Sequence, residues 1–379
     1  MNENHINQIF KNYIEKFEYI NDNTHDESYK WRVAKKFRIL MDEALSKQGA
    51  DFAEALYKVK VCTENMIDSY TQPFYGMVEF ARHEPETVRK MFLDLYSDDA
   101  GDIHSLEQKI ADFFAQSTVL LEKYYPDSFL YKQDFHAVSG YLFLYDPEHH
   151  YMFKAVQSGK FADCIEFYDD WGSGNNINLE VYYRMCDWAV EQIKKSPELL
   201  ATNQSRYDLP EGDEMAPDVN KHILLFDLIY CCSVYDLFDG ITFARPKASE
   251  KNLIVEKRKK AAYYLEEYNK VLDMQHKYDE AIFLLRTYLV PDAVIYHTKY
   301  GRCVVLSCSD KCQIEVALEN GEVKTLGAPT VFSKGFVRTE SGELENKLAG
   351  YLKYLEDERT IRERVSFAEH QLEPYEEYL

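Results

Sequence analysis

The sequence predicts a mainly α protein: a multi-helix orthogonal bundle, a small five-stranded β-barrel near the C-terminus, and a terminal helix. Three observations carry this. Apolar residues recur at helical spacing over most of the 379-residue chain. Short turns join these stretches across residues 1–125, which suits orthogonal helices. Residues 291–337 break the pattern, with short alternating runs separated by turn signals.

From the N-terminus, Ile6, Ile9, Phe10, Tyr13, Ile14 and Phe17 form one stripe on a helix over 3–20. Asp26 or Ser28 caps a second helix reaching Ser46, with Trp31, Val33, Ala34, Phe37, Leu40 and Met41 inward. Asp51 starts a third with Phe52, Ala55, Leu56 and Val59. Residues 73–82 and 85–96 give two more, the latter opened by Pro85 at its first position and Glu86 in its first turn. A sixth spans 102–125 on Leu106, Ile110, Phe113, Phe114 and Leu120.

The middle is mixed. His136–Tyr145 is a buried helix ended by Asp146-Pro147, and Tyr151-Met152-Phe153-Lys154 is extended. Helices over 158–168 and 178–196 flank the loop Asp169-Asp170-Trp171-Gly172-Ser173-Gly174-Asn175-Asn176. That loop concentrates acids, an indole and flexible backbone, and binding residues gather on loops held by rigid scaffolds. Tyr151, Lys154, Asp169, Asp170 and Trp171 are therefore the candidate ligand pocket. A helix cap anchored by Trp171 is the plainer reading. Residues 199–220, with Pro210, Gly212 and Pro217, are expected to be loop. Ile223–Val234 is largely apolar and fits either a buried strand or a core helix.

Residues 249–289 predict one long helix or a helical hairpin. Ala261, Leu265, Tyr268, Leu272 and Ile282 sit near heptad spacing, interrupted by Gln275. Lys257-Arg258-Lys259-Lys260 circle that helix as a solvated cuff, since four consecutive residues cannot share a face. The β segment follows. Its runs are Val294–His297, Cys303–Leu306 and Ile314–Leu318, with turns at Lys299-Tyr300-Gly301 and Ser309-Asp310-Lys311. Asn320-Gly321 is a strong hairpin signal, because a type I′ turn needs positive φ at both central residues. Val294, Val304, Val305, Ile314, Val316 and Leu318 are the expected barrel core. Ser341–Phe367 closes the chain as a charged helix with Leu344, Leu348, Tyr351, Leu352 and Leu355 apolar. The expected division is thus 1–130, 131–248, 249–290, 291–340 and 341–379.

The net charge of −21 disfavours general attraction to nucleic acid or anionic membrane. The 30 Tyr and 22 Phe suit interaction surfaces as well as cores. No signal peptide and no membrane span are expected from the sequence. Eight Cys without framework spacing fit reduced thiols in the cytoplasm. Lys299, Arg302, Lys311, Lys324 and Lys334 balance Asp292, Asp310, Glu315, Glu319 and Glu322 in 291–337, leaving the barrel neutral. A neutral module with an aromatic centre suits protein docking better than phosphate binding. Tyr296, His297, Tyr300, Phe332 and Phe336 are the candidate partner-binding residues.

The sequence holds no Walker-type loop, GxGxxG, GxSxG or HExxH, so no catalytic residue, cofactor or metal is assigned. Cys303, Cys308 and Cys312 are loosely spaced like zinc ligands, but no fourth ligand follows. His149-His150 have diverging side chains and are expected as exposed turn residues. Pro291-Asp292 and Glu322-Val323-Lys324 follow a nuclease-like order. That chemistry needs both elements in one sheet core. Asp292 ends a helix and Glu322 follows a turn, so no nuclease is expected.

Two resemblances add to this. Val294, His297, Tyr300-Gly301, Val304-Val305, Val316, Asn320-Gly321, Lys324, Pro329, Phe332 and Gly335-Phe336 make residues 291–337 resemble the Tudor or SH3-like carboxy-terminal module of UvrD-type helicases. That family usually has a second Gly where this chain has Arg302-Cys303. The resemblance implies a barrel that contacts partner proteins. Residues 28–235 are similar to the amino-terminal recognition region of McrB-type AAA GTPases. The stretches that carry this are Tyr29–Ala34, Asp51–Leu56, Met77–Ala81, Pro85–Phe92 and Tyr141–Lys154. It implies a recognition module, in some members for DNA. No motor follows here, so nucleotide-driven translocation is expected of a separate chain. The leading expectation is a non-enzymatic recognition or adaptor protein of a phage-defence or restriction-type system. The alternatives are a nucleic-acid sensor holding a modified base or strand end near Tyr151–Lys154 and Trp171, and an unrecognised enzyme.

Overall fold

The stripe Ile6, Ile9, Phe10 and Tyr13 is fully buried along α1 (Glu3–Ile20), which Asn2 caps by accepting from the His5 N–H at 3.1 Å. The computed structural model describes residues 1–64, 66–68, 70–97, 101–208, 211–355 and 358–379. The chain divides into two units, Met1–Asn252 and Leu253–Leu379.

In the first unit, α2 (Tyr29–Leu45), α3 (Gly49–Cys62), α4 (Pro73–His83), α5 (Pro85–Leu95) and α6 (Ile103–Tyr124) follow the periodicity of the sequence. The apolar run Phe135–Tyr145 is helix α7, capped by Asp134 and stopped at Asp146 before Pro147. Then come α8 (Ala155–Cys164), a hairpin of β1 (Gly172–Ser173) and β2 (Asn176–Ile177), α9 (Leu179–Lys194), α10 (Pro197–Gln204) and α11 (His222–Val234). The ambiguous run 223–234 is thus a helix. One continuous core runs from Ile6 to Leu237, so stretches 1–130 and 131–248 share an interior. At its centre Tyr141 packs edge-on against Phe74 and Phe92, with centroids at 4.9 and 5.5 Å. Gly76 has no space for a side chain, because a Cβ there would lie 2.5 Å from that of Tyr131.

The unit is fastened end to end. Asn12 Nδ2 on α1 donates to the carbonyls of Leu237 (2.9 Å) and Asp239 (2.8 Å). Lys16 Nζ donates to those of Tyr235 and Asp236, both at 2.9 Å. The expected loop 199–220 is corrected in part. Pro197 opens helix α10, and Leu199, Asn203 and Arg206 are buried. Of its polar residues Asn203, Arg206 and Asp218 turn inward, and Arg206 joins an interior ion network.

The second unit is led by α12, a single helix of 41 residues (Ala248–Tyr288) that begins at the end of the first unit. Five strands follow: β3 (Val294–His297), β4 (Gly301–Cys308), β5 (Gln313–Leu318), β6 (Val323–Gly327) and β7 (Val337–Thr339), with α13 (Ala328–Ser333) between the last two. They form one antiparallel sheet in the order β6-β5-β4-β3-β7, open between β6 and β7. Gly321 has φ 83° but Asn320 is not at positive φ, and the Gly321 N–H bonds the Leu318 carbonyl at 3.0 Å, so the hairpin closes through Glu319-Asn320 with a left-handed Gly321 after them rather than through the expected type I′ turn.

The pleat decides which residues face in. Ile295, Cys303, Val305, Ile314 and Val316 are fully buried. Val294 and Val304, cross-strand partners on the other face, are half-buried, which corrects their expected place in the core. Ala281 and Leu285 of α12, with Leu289, Leu344, Leu348 and Leu355, complete the same core, so the sheet is built into helices on either side. The expected terminal helix is broken. It consists of α14 (Glu343–Leu348), a 3₁₀ turn at Leu352–Tyr354 and α15 (Glu358–Leu372). Gly350, the poorest helix former after proline, stands at the interruption. Among the described residues, no helix is long and apolar enough to cross a membrane.

Candidate functional sites

A cluster of four charged groups lies in the interior of the first unit. Lys30 and Asp227 have no exposed side-chain surface, and Lys30 Nζ lies 2.5 Å from Asp227 Oδ1 and 2.7 Å from Glu27 Oε2. Arg206 reaches the other Asp227 oxygen at 3.1 Å and also donates to Tyr13, Asn21 and Ser28. Ser28, expected as a possible helix cap, makes no capping bond and serves Arg206 instead. The Arg206 guanidinium stacks 4.2 Å from the centre of the Trp31 ring. Burial pushes the Asp227 carboxyl up, but Lys30 and Arg206 outweigh it and hold it below the ordinary carboxylate value. Two cations and two carboxylates balance, as buried charges must. Lys154 is half-buried beside this cluster, its ammonium 5.5 Å from the centre of the Tyr230 ring. Burial, with Lys30 adding repulsion, lowers its pKa to about 8.

A cleft of about 650 Å³ opens where α2, α5, α6, α7 and α9 meet. Its wall is a column of stacked groups. The Arg38 guanidinium lies 4.1 Å from the Tyr145 centroid, Tyr145 stacks on Tyr96 at 3.8 Å, and Tyr96 stacks on buried Phe92 at 5.9 Å. Tyr145 and Arg38 both bond Asp42, at 2.8 and 3.3 Å. His149, His150, Asp102 and Asp146 line the cleft, with His149 Nδ1 2.9 Å from Asp146. Guanidinium, imidazoles and carboxylates offer both donors and acceptors to a bound group. No local pattern marks this cleft, because its residues come from five helices and the turns beside them. The adjacent His149-His150 was its one visible element.

The expected ligand-pocket residues separate into three places. Asp169, Asp170 and Trp171 line a cavity of about 250 Å³ with Phe167 and Lys251. Within it Asp169 pairs with Arg184, Asp170 accepts from the Gly172 N–H at 2.8 Å, and Trp171 stacks on Phe167. Tyr151 is buried and bonds Asp187 at 2.7 Å, and Lys154 belongs to the ionic cluster. Among the described residues, no group of three or more His, Cys, Asp or Glu is placed to hold a metal ion.

On the sheet, the His297 and Tyr300 rings meet tilted at 36° with centroids 4.6 Å apart, and His297 lies 6.5 Å from Phe336, which is 45% exposed. Tyr296, 43% exposed, stands in register between Arg302 and Arg338. Phe332 is buried in the core beneath. Asp292 sits in a turn before β3, and Glu322 pairs with Lys324 at 3.6 Å across the β5–β6 turn. Comparison of the chain with protein-family models, with curated proteins and with solved structures finds no match.

Proposed function

We propose that this chain is a recognition protein that docks a protein partner on its C-terminal sheet. The observation that carries this is the cluster of His297, Tyr300 and Phe336, with Lys299 over Tyr300 at 5.4 Å. An aromatic set of exposed Phe336 and half-buried His297 and Tyr300, beside a core that holds Phe332, has the composition of an interface centre. The strand order and the placing of α13 between β6 and β7 fit a small SH3-like barrel, the finer reading of this sheet. That reading, with the likeness to the UvrD-type module, supports protein rather than phosphate as the target. The likeness of residues 28–235 to McrB-type recognition regions supports a cytoplasmic role in a restriction-type defence system, with a separate motor chain as one partner.

The test is affinity capture with the full chain, followed by calorimetric titration of the captured protein. Phe336→Ala should weaken binding by roughly 1–3 kcal/mol and leave the thermal midpoint of unfolding in place. Steeply salt-dependent DNA binding without protein capture overturns the proposal. A second reading, in which the cleft takes a nucleobase or strand end, is favoured by the Arg38–Tyr145–Tyr96 column, whose outer guanidinium offers a stacking face. Arg38→Ala should then abolish DNA binding.

A further inference from the structure

The N-terminal part of α12 in the second unit buries little. Among residues 253–277 only Ala261 is buried. Helix α15 and the tail after it run antiparallel along this part. Tyr375 stacks on Tyr264 at 5.4 Å, the Lys257 ammonium donates to the Tyr378 hydroxyl at 2.7 Å, and Ala368 and Leu372 are buried. The result is a two-helix arm with a groove of about 520 Å³ along one side.

The groove is formed by two helical stripes, Tyr263, Glu267 and Val271 on α12, and Thr360, Glu363, Arg364, Phe367 and Gln371 on α15. Phe367 projects from it at 67% exposed and Tyr263 at 59%. Beside the projecting Phe367 lies the apolar hollow of Tyr264, Val271 and Ala368. Projection and hollow on the same surface are what a twofold interface needs, because each copy then supplies both. Glu267 takes Lys270 at 2.8 Å and Glu363 takes Arg359 at 2.8 Å, while Arg364 pairs with no acid among the described residues.

We infer that two copies of this chain associate through the α12–α15 arm as an isologous four-helix bundle, Phe367 of each filling the hollow of the other. The size suffices. Residues 358–378 span roughly 30 Å, and two helices are about 20 Å across. Each copy therefore covers about 600 Å², and the pair clears the roughly 1,000 Å² expected of a specific interface. This inference does not depend on the partner-docking proposal, since it uses neither the sheet nor its aromatics.

The test is sedimentation of the full chain over a wide concentration range. The expected result is a concentration-dependent dimer whose dissociation constant rises about 100-fold or more in Phe367→Glu, with unchanged circular dichroism because that ring is exposed. Tyr263→Lys, on the facing helix, should act in the same direction, and Phe367→Leu should retain the dimer. A wild-type monomer throughout, a dimer indifferent to both charged substitutions, or open-ended polymers would each overturn the inference. A groove that instead takes an amphipathic helix of another protein, with the chain itself monomeric, overturns it equally.

Discussion

Asp227→Asn should destabilise the first unit by roughly 3–5 kcal/mol, the cost of breaking a buried ion pair. The carboxylate accepts from Lys30 at 2.5 Å, Tyr13 at 2.5 Å, Arg206 at 3.1 Å and Cys231 Sγ at 3.4 Å. The amide keeps the shape and removes the charge. Of these two cations, neither with any exposed side-chain surface, Lys30 then keeps only Glu27 and Arg206 keeps no carboxylate partner among the described residues. Adding Lys30→Met removes one orphaned cation. The double variant should therefore be more stable than the sum of the single effects by about 0.5–3 kcal/mol. Urea unfolding by circular dichroism, with tryptophan fluorescence reporting on Trp31 under the Arg206 guanidinium, measures both. The linkage has a definite sign. A depressed carboxyl stabilises above its unfolded pKa, and this stabilisation is lost as pH falls through the folded value. Wild type should accordingly lose more stability in acid than Asp227→Asn. A loss under about 1 kcal/mol at neutral pH, or strict additivity of the two substitutions, refutes the reasoning.

Asp218 should show the opposite slope: burial lifts its pKa to about 6, against N–H bonds from Leu224 and Ile223, so it favours the folded state increasingly as pH falls from 6 to 4. Asp218→Asn should remove that component from the pH profile of unfolding, and an unchanged profile rejects it. Lys154, lowered to about 8, should be acylated by a limiting amine reagent at pH 8 ahead of exposed lysines, as peptide mass spectrometry can read; equal labelling contradicts the shift. Gly76→Ala should cost roughly 1–3 kcal/mol in thermal unfolding, the range for overpacking, because its Cβ meets Tyr131 backbone as well as side chain, at 2.7 and 2.5 Å.

Local periodicity made the helices of the first 125 residues legible, and Pro85 and Asp146-Pro147 marked boundaries that the structure keeps. The strands were legible because Asn320-Gly321 and the alternation around them are local signals. Their inward face was less so: Val294 and Ile295 are both apolar, and only the packing of α12 and Leu344 selects Ile295. The 199–220 region was misread because Arg206 is held inside by Asp227 and Tyr13, whose contact lies beyond any local window. Two signals were nevertheless present. Lys30 stands next to buried Trp31, and Asp227 interrupts an otherwise apolar run. The Arg38–Tyr145–Tyr96 column had no such mark, since exposed and half-buried tyrosines are spread through the whole sequence.

The clasp between α1 and residues 235–239 also bears on how the chain is made. Asn12 leaves the ribosome long before its acceptors, the Leu237 and Asp239 carbonyls, 225 and 227 positions later. At synthesis rates of about 5–20 residues per second the interval is roughly 10–50 s. Until α11 is made, α1 lacks that packing partner, and Tyr13 and Lys30 lack the Asp227 carboxylate they bond. Contacts of such separation also slow the final closure. The nascent first unit is thus a prolonged client for holding chaperones, and translation halted before residue 227 yields a fragment in which Arg206 lacks its carboxylate and Lys30 keeps only Glu27.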